Sequence, residues 1–461
     1  MENKDINEKM NFIRKRKRQE NDEITVKKKK KDLLKEIGDN SNNSISILNI
    51  INNFRNNDIM IQYNSLVELN NIIQIDEIVN IDQIIKSNIF TTILGLFNSN
   101  NINIQTEILS LIINISANDK KYTHFLYLNN VIPILVNCLN NDSQIIKNQA
   151  ILALNNIIID SNEYTNISLD LHIYEKIKKC LSNIYSIEYL QNLSCLLVNI
   201  IQNSNFDFTI NFDIIYIFLD FYKLNDPKIK ITSLIGISSI PIDENNKSVI
   251  WNIFINNGFL MDIISKLNHI DDILLIIVIL RIIVNITTEH QVCLDFILNH
   301  NIISMIQKLS NIKSDLIQFE IICIINEIIL NNNHYYIDNL IELGIIKEVL
   351  LQFNFEENTV NKDILLIIYN LSLTGNIKYT NLLVEYNCAD IFLYFINSME
   401  LEHTYIVLES IYAILKVSSE LEYNFIDKID DNGIIDKIEH LKYCQNIDIE
   451  RLSNLITDFY N

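Results

Sequence analysis

Glycine and proline are scarce, with 7 Gly and 3 Pro among 461 residues. Compact globular domains draw on both for turns and boundaries. Their scarcity argues against a series of small domains, which the length alone would suggest, and favours one extended, mostly helical architecture. Seven glycines also leave little room for a phosphate cradle, and neither a P-loop nor a GxGxxG is present. The seven cysteines (138, 180, 195, 293, 323, 388 and 444) are scattered, odd in number and never form a CxxC. With no signal peptide visible, they predict reduced core thiols in a cytosolic or nuclear protein. The 8 His are dispersed and none falls in HExxH. The paired carboxylates Asp271–Asp272 and Asp430–Asp431 read as solvated turns. No enzyme, cofactor or metal site is expected. The longest strongly apolar stretch, Ile273–Ile286, is broken by Arg281 and Asn285, which makes it too short and too polar to span a membrane.

Charge is present but segregated. Residues 1–37 hold 13 Lys and Arg against 8 Asp and Glu, whereas the other 424 residues hold 24 basic and 49 acidic side chains. The cations concentrate in two blocks, Arg14-Lys15-Arg16-Lys17-Arg18 and Lys27-Lys28-Lys29-Lys30-Lys31, followed by Asp32-Leu33-Leu34. Such a pattern marks an interaction arm on an acidic body. A basic arm alone would suggest nucleic acid, but the acidic body repels phosphate and attracts cationic ligands, so direct nucleic-acid binding is not expected. A polar stretch, DNSNNS at 39–44, separates arm from body.

From Ile45 the chain repeats itself. A phrase made of a small or polar residue, an apolar pair and a helical apolar run begins at Asn88, Asn130, His172, Asp213, Gly258, Asn301, Gly344, Cys388 and Gly433, in steps of 41 to 45 residues. About twenty residues later comes a second phrase, apolar–x–x–Asn–Ile/Leu, as in SLIINIS, LALNNII, CLLVNII, RIIVNIT and LIIYNLS. Two helical phrases in a unit of about 43 residues match the HEAT/armadillo class. Each unit has an apolar face it cannot bury alone, so the units are expected to stack around one continuous core.

The second phrase sets one asparagine at the same place in successive units: Asn114, Asn156, Asn199, Asn285 and Asn370. A primary amide both donates and accepts. A row of them can hold the backbone of an extended peptide whatever its side chains. The alternative reading is that asparagine, abundant in this chain, merely caps or crowds helix ends.

These features resemble the importin-α family of nuclear import adaptors. The basic block, the spacer QENDEITV, the second basic block and DLLK resemble the family's importin-β-binding arm. The closing segment GIIDKIEHLKYCQNIDIERLSNLITDFY (433–460) resembles its last armadillo repeat. The resemblance implies an all-α, right-handed superhelical armadillo solenoid of about ten repeats over 46–461, a linker at 38–45 and a disordered arm at 1–37. It also implies a groove role for Arg281, four residues before Asn285. Asp160, shortly after Asn156, is implied as the partner of a signal lysine. The family's groove motif is Trp-x-x-x-Asn, and here the four-before positions are Ser110, Leu152, Cys195, Ile235, Cys323 and Leu366. The Asn itself becomes Ser239 and Glu327 in two units, and the single tryptophan, Trp251, lies in another helix and reads as packing. Where family arms carry an autoinhibitory basic cluster, this arm has Lys35-Glu36-Ile37.

The resemblance implies a protein that shuttles between cytoplasm and nucleus. It would bind proteins bearing basic nuclear-localisation signals, link them to importin-β, and return with an export receptor and Ran-GTP. Two other readings stay open: a scaffold that keeps the importin-β arm but reads other cargo, and an armadillo scaffold whose basic blocks are its own localisation signal or a nucleic-acid tether.

Overall fold

The residue opening each first phrase has a backbone reason to be small or polar. In the computed structural model, Asn88, Asn130, His172, Asn301 and Asn387 have φ of 55–61°, and Gly258, Gly344 and Gly433 have φ of 65–76°. This left-handed conformation is disfavoured for residues with bulky or branched side chains and tolerated by Gly and Asn. Each such residue ends one helix and starts the next. The Asn130 N–H donates to the Tyr127 carbonyl at 2.9 Å, and the Gly344 N–H to Ile341 at 2.9 Å. The phrase at Asp213 departs from this rule, because Phe212 before it is right-handed at φ −73°. At Cys388 the left-handed residue is Asn387, one place earlier.

The structure describes residues 49–461 except 57, 74–76, 100, 182–185, 204–211, 244, 289, 356–359, 399, 418 and 461. The basic arm and the 38–45 linker therefore lie outside the described residues. Among the described residues the regular structure is helical, with no strand. Each complete unit holds three helices where two phrases are legible, as in Lys120–Leu128, Val131–Cys138 and Gln144–Ile158. The first phrase is the second helix and the second phrase is the third. The first helix, short and of mixed polarity, leaves no repeated Ile/Asn phrase.

Four of the third helices start at side-chain caps, where Asn101, Ser186, Asp226 and Asp272 each accept from a backbone N–H two or three residues on. Asp272 is thus a cap, and Asp430 and Asp431 end the helix Ser419–Asp431. The helix Ile273–Thr287 is apolar nearly all round because it is buried between neighbours. No helix among the described residues is long and apolar enough to cross a membrane.

The chain forms two compact units, one ending at Ile240 and one beginning at Pro241. In the first, the third helices are Ile59–Ile73, Ile102–Ser116, Gln144–Ile158, Ile187–Gln202 and Pro227–Ser238. In the second they are Ile273–Thr287, Asp315–Leu330, Asn361–Leu373, Leu401–Val417 and Ile447–Tyr460. The cores are built largely from isoleucine, leucine and phenylalanine. Cys138, Cys180, Cys293 and Cys388 are buried thiols, but Cys195 is exposed and Cys323 and Cys444 are half-buried, so the expectation of seven core thiols holds for four.

Candidate peptide-binding face

Residues four and seven apart share a helix face, so each third helix offers a ladder position with the residues four and seven before it. In the first unit these are Asn114, Ser110 and Glu107; Asn156, Leu152 and Gln149; and Asn199, Cys195 and Asn192. Asn114 and Asn156 are half-buried, whereas Asn199 is buried. In the second unit Asn285 and Asn370 hold the same position and are half-buried.

The structure adds a partner that sequence reasoning missed. The residue before the ladder position is Asn70 in one unit, Asn155 in another and Asn326 in a third, all buried. Each ties its unit to the next in the same way. Asn155 Nδ2 donates to the Asn192 carbonyl at 2.9 Å, and its Oδ1 accepts from Asn199 Nδ2 at 2.9 Å. Asn70 donates to the Glu107 carbonyl at 3.0 Å and accepts from Asn114 at 3.4 Å. Asn326 donates to the Asp363 carbonyl at 3.3 Å and accepts from Asn370 at 3.4 Å. Donor-to-carbonyl separations are 37 residues and amide-to-amide separations 44 in all three. The ladder asparagines 114, 199 and 370 are therefore part of an inter-repeat clamp. Asn156 donates instead to Ser116 Oγ at 3.1 Å, and beside it Gln149 donates to Ser110 Oγ at 3.0 Å.

Asp160 is half-buried just past the Gln144–Ile158 helix, and Thr123 Oγ1 donates to its Oδ2 at 2.9 Å. That bond holds the carboxylate beside the first helix of the same repeat. At the four-before position Ile235 is buried, so the fifth unit offers core rather than face there. Ser239 accepts from Gln202 at 2.9 Å.

In the second unit, Arg281 Nε and Nη2 lie 2.6 Å and 2.5 Å from Oε1 of Glu320 on the next third helix. The Arg281 side chain is 17% exposed and that of Glu320 1%. Burial pushes the Glu320 carboxyl above the ordinary carboxylate range, and the Arg281 guanidinium only partly offsets this. Asn285 sits one turn beyond Arg281 on the same helix. Trp251 packs edge-on against Phe296, ring centroids 5.3 Å apart.

The first helices carry a second set of links that no phrase announced. Tyr122 donates to Asp82 at 3.0 Å, Tyr164 pairs with His124 at 3.0 Å and Tyr379 with His334 at 3.1 Å. All three tyrosines are third residues of first helices.

The first unit's face thus carries the amides of Asn114 and Asn156, each with one N–H bonded to the preceding repeat, and the Asp160 carboxylate held by Thr123. Such a surface suits the N–H groups and cations of an extended chain. The arm residues 14–18, 27–31, Leu33 and Leu34 lie outside the described residues.

No protein-family model matches the chain, and no curated protein matches it in sequence. Solved structures do match in fold. An engineered protein, known from its crystal structure, aligns with a TM-score of 0.69 at 15% identity, over 90% of this chain and 98% of its own. A chain from a study of the phosphorylation-controlled interaction between cadherin and beta-catenin aligns with a TM-score of 0.70 at 10% identity, over 90% of this chain and 85% of its own. At these identities the likeness concerns fold, and the fold is an all-α helical repeat of the armadillo type.

Proposed function

We propose that the chain is a protein-binding adaptor rather than an enzyme, and that the third-helix face of its first unit holds an extended, basic peptide. The observation carrying this reading is the constant position of Asn114 and Asn156, both half-buried, on consecutive third helices, with Asp160 just past the second. A solenoid lays such groups out at regular intervals, as a peptide backbone requires. The finer reading is nuclear import: the arm with its two basic blocks would engage importin-β, and the face would take a nuclear-localisation signal. The closing repeat would meet an export receptor with Ran-GTP, and the protein would shuttle between cytoplasm and nucleus. Support for that part comes from the arm sequence and the closing repeat.

A second reading, an adaptor with the same arm but other cargo, is favoured by Ser110, Leu152 and Cys195, which cannot form indole slots for lysine stems. Titration of the full-length chain with a fluorescent basic signal peptide separates the two. Binding weakened by Asp160→Ala supports the first, and absence of binding to basic peptides with intact importin-β capture supports the second. Equal importin-β capture by full-length protein and by a version lacking residues 1–37 would overturn both.

A further inference from the structure

In the second unit, the edge where third helices pass into first helices is apolar where the fold does not require it. In the first unit two of the described first helices carry charge at their second position, Lys121 and Glu163, and Glu77–Lys86 carries Ile78 there. In the second unit Val249, third residue of the helix Lys247–Asn256, and Val292 and Tyr335, second residues of Gln291–Leu298 and His334–Glu342, are spaced 43 residues apart and 41%, 61% and 69% exposed. Beside them at the helix junctions lie Leu330, Leu373 and Ile377, 60%, 47% and 52% exposed. Adjacent first helices touch here, since Trp251 meets Phe296 and Tyr336 donates to Asn299. The side chains therefore form a row rather than isolated exposures.

The rim of this row is acidic. Asp243, Asp295, Asp338 and Glu342 lie on the same first helices or at their starts. The row ends at Lys378, whose charge is met by Asp338 at 2.9 Å and Glu342 at 4.0 Å. Asp295 accepts from Gln291 at 3.0 Å, so its charge is uncompensated by a cation in that bond.

Packed helices lie about 8–10 Å apart, and two turns of an α-helix advance about 11 Å. A helix laid across these three repeats would thus meet one exposed apolar side chain every seven residues or so. We propose that this edge of the second unit docks a cationic amphipathic helix from a protein partner. Leucine-type residues would face Val249, Val292 and Tyr335, and lysine or arginine would face the acidic rim. The rim disfavours an anionic lipid surface as the occupant, and self-docking would have to bring an acidic rim against a copy of itself.

The test uses the full-length chain and a labelled Leu/Lys amphipathic peptide of about 20 residues, roughly 30 Å when helical, read by fluorescence polarisation. Tyr335→Asp and Val292→Asp place carboxylates in the first turn of a helix, where the dipole tolerates them, so folding is not put at risk. Saturable binding, weakened about ten-fold or more by either substitution and unchanged by Ile102→Asp in the first unit, is the expected result. Weaker binding of a peptide with the same composition in scrambled order is also expected. The proposal is overturned if the scrambled peptide binds equally, or if both substitutions leave affinity unchanged. It is equally overturned if Tyr335→Asp instead abolishes a concentration-dependent dimer, or binding to neutral vesicles, while leaving the peptide untouched.

Discussion

Replacing Asn155 by alanine removes two bonds that join neighbouring third helices, to the Asn192 carbonyl at 2.9 Å and from Asn199 at 2.9 Å. Net hydrogen bonds contribute about 0.5–1.5 kcal/mol each, so the expected loss is about 1–3 kcal/mol. Urea denaturation followed by far-ultraviolet circular dichroism measures it. Asn155→Asp keeps the acceptor but sets a buried carboxylate against the Asn192 carbonyl, so it should cost at least as much as alanine. A double-mutant cycle with Asn199→Ala should return a coupling of about 1 kcal/mol, since both substitutions remove one shared bond. A loss below about 0.5 kcal/mol, or strict additivity with Asn199→Ala, would refute the clamp.

Arg281→Ala strands the Glu320 carboxylate, 1% exposed, without its cation, and should cost about 3–5 kcal/mol. Burial raises the Glu320 carboxyl above its ordinary range, so in the pH window between its unfolded and folded values the folded state binds more protons, and this group's contribution is present below that window and lost as pH rises through it. Without Arg281 the upward shift grows, and thermal denaturation of the variant should show a steeper gain in stability on acidification through that window than the parent shows. Replacing both residues by leucine should be close to neutral in the same assay. Gly236→Ala sets a Cβ 2.4 Å from the buried Phe218 ring, and urea melts should show a loss of about 1–3 kcal/mol. His172 holds φ 57°, so His172→Gly should raise stability by about 0.5–1 kcal/mol and His172→Val should lower it.

The heads of the second helices were legible because left-handed backbone restricts residue type: Asn130, Gly258 and Gly344 announce the turn whatever surrounds them. The third helices were legible through Asn114, Asn156 and Asn199 at one position. First helices such as KKYTHFLYL and NEYTNISLD were missed because their mixed polarity gives no isoleucine-rich phrase. The signal that could have found them is Tyr122 and Tyr164, 42 residues apart, each reaching the preceding first helix. The clamp was invisible because Asn155 and Asn156 are adjacent and alike in sequence. Only packing decides that one is buried between helices and the other lies half-open on the face. Arg281 and Glu320 lie 39 residues apart, and no local pattern couples them; their pairing follows from the stacking of successive third helices.

The central claim is that the first unit's third-helix face binds a basic peptide through Asn156 and Asp160. Its most direct test is polarisation titration of a labelled basic signal peptide against the full-length chain and against its Asn156→Ala/Asp160→Ala variant. Removing one hydrogen bond to an amide and one to a carboxylate, about 2–4 kcal/mol together, should weaken binding at least ten-fold while leaving the helical spectrum intact. Affinity unchanged in the variant, or no binding to the parent at about 50 µM, a free energy near 6 kcal/mol, would contradict it.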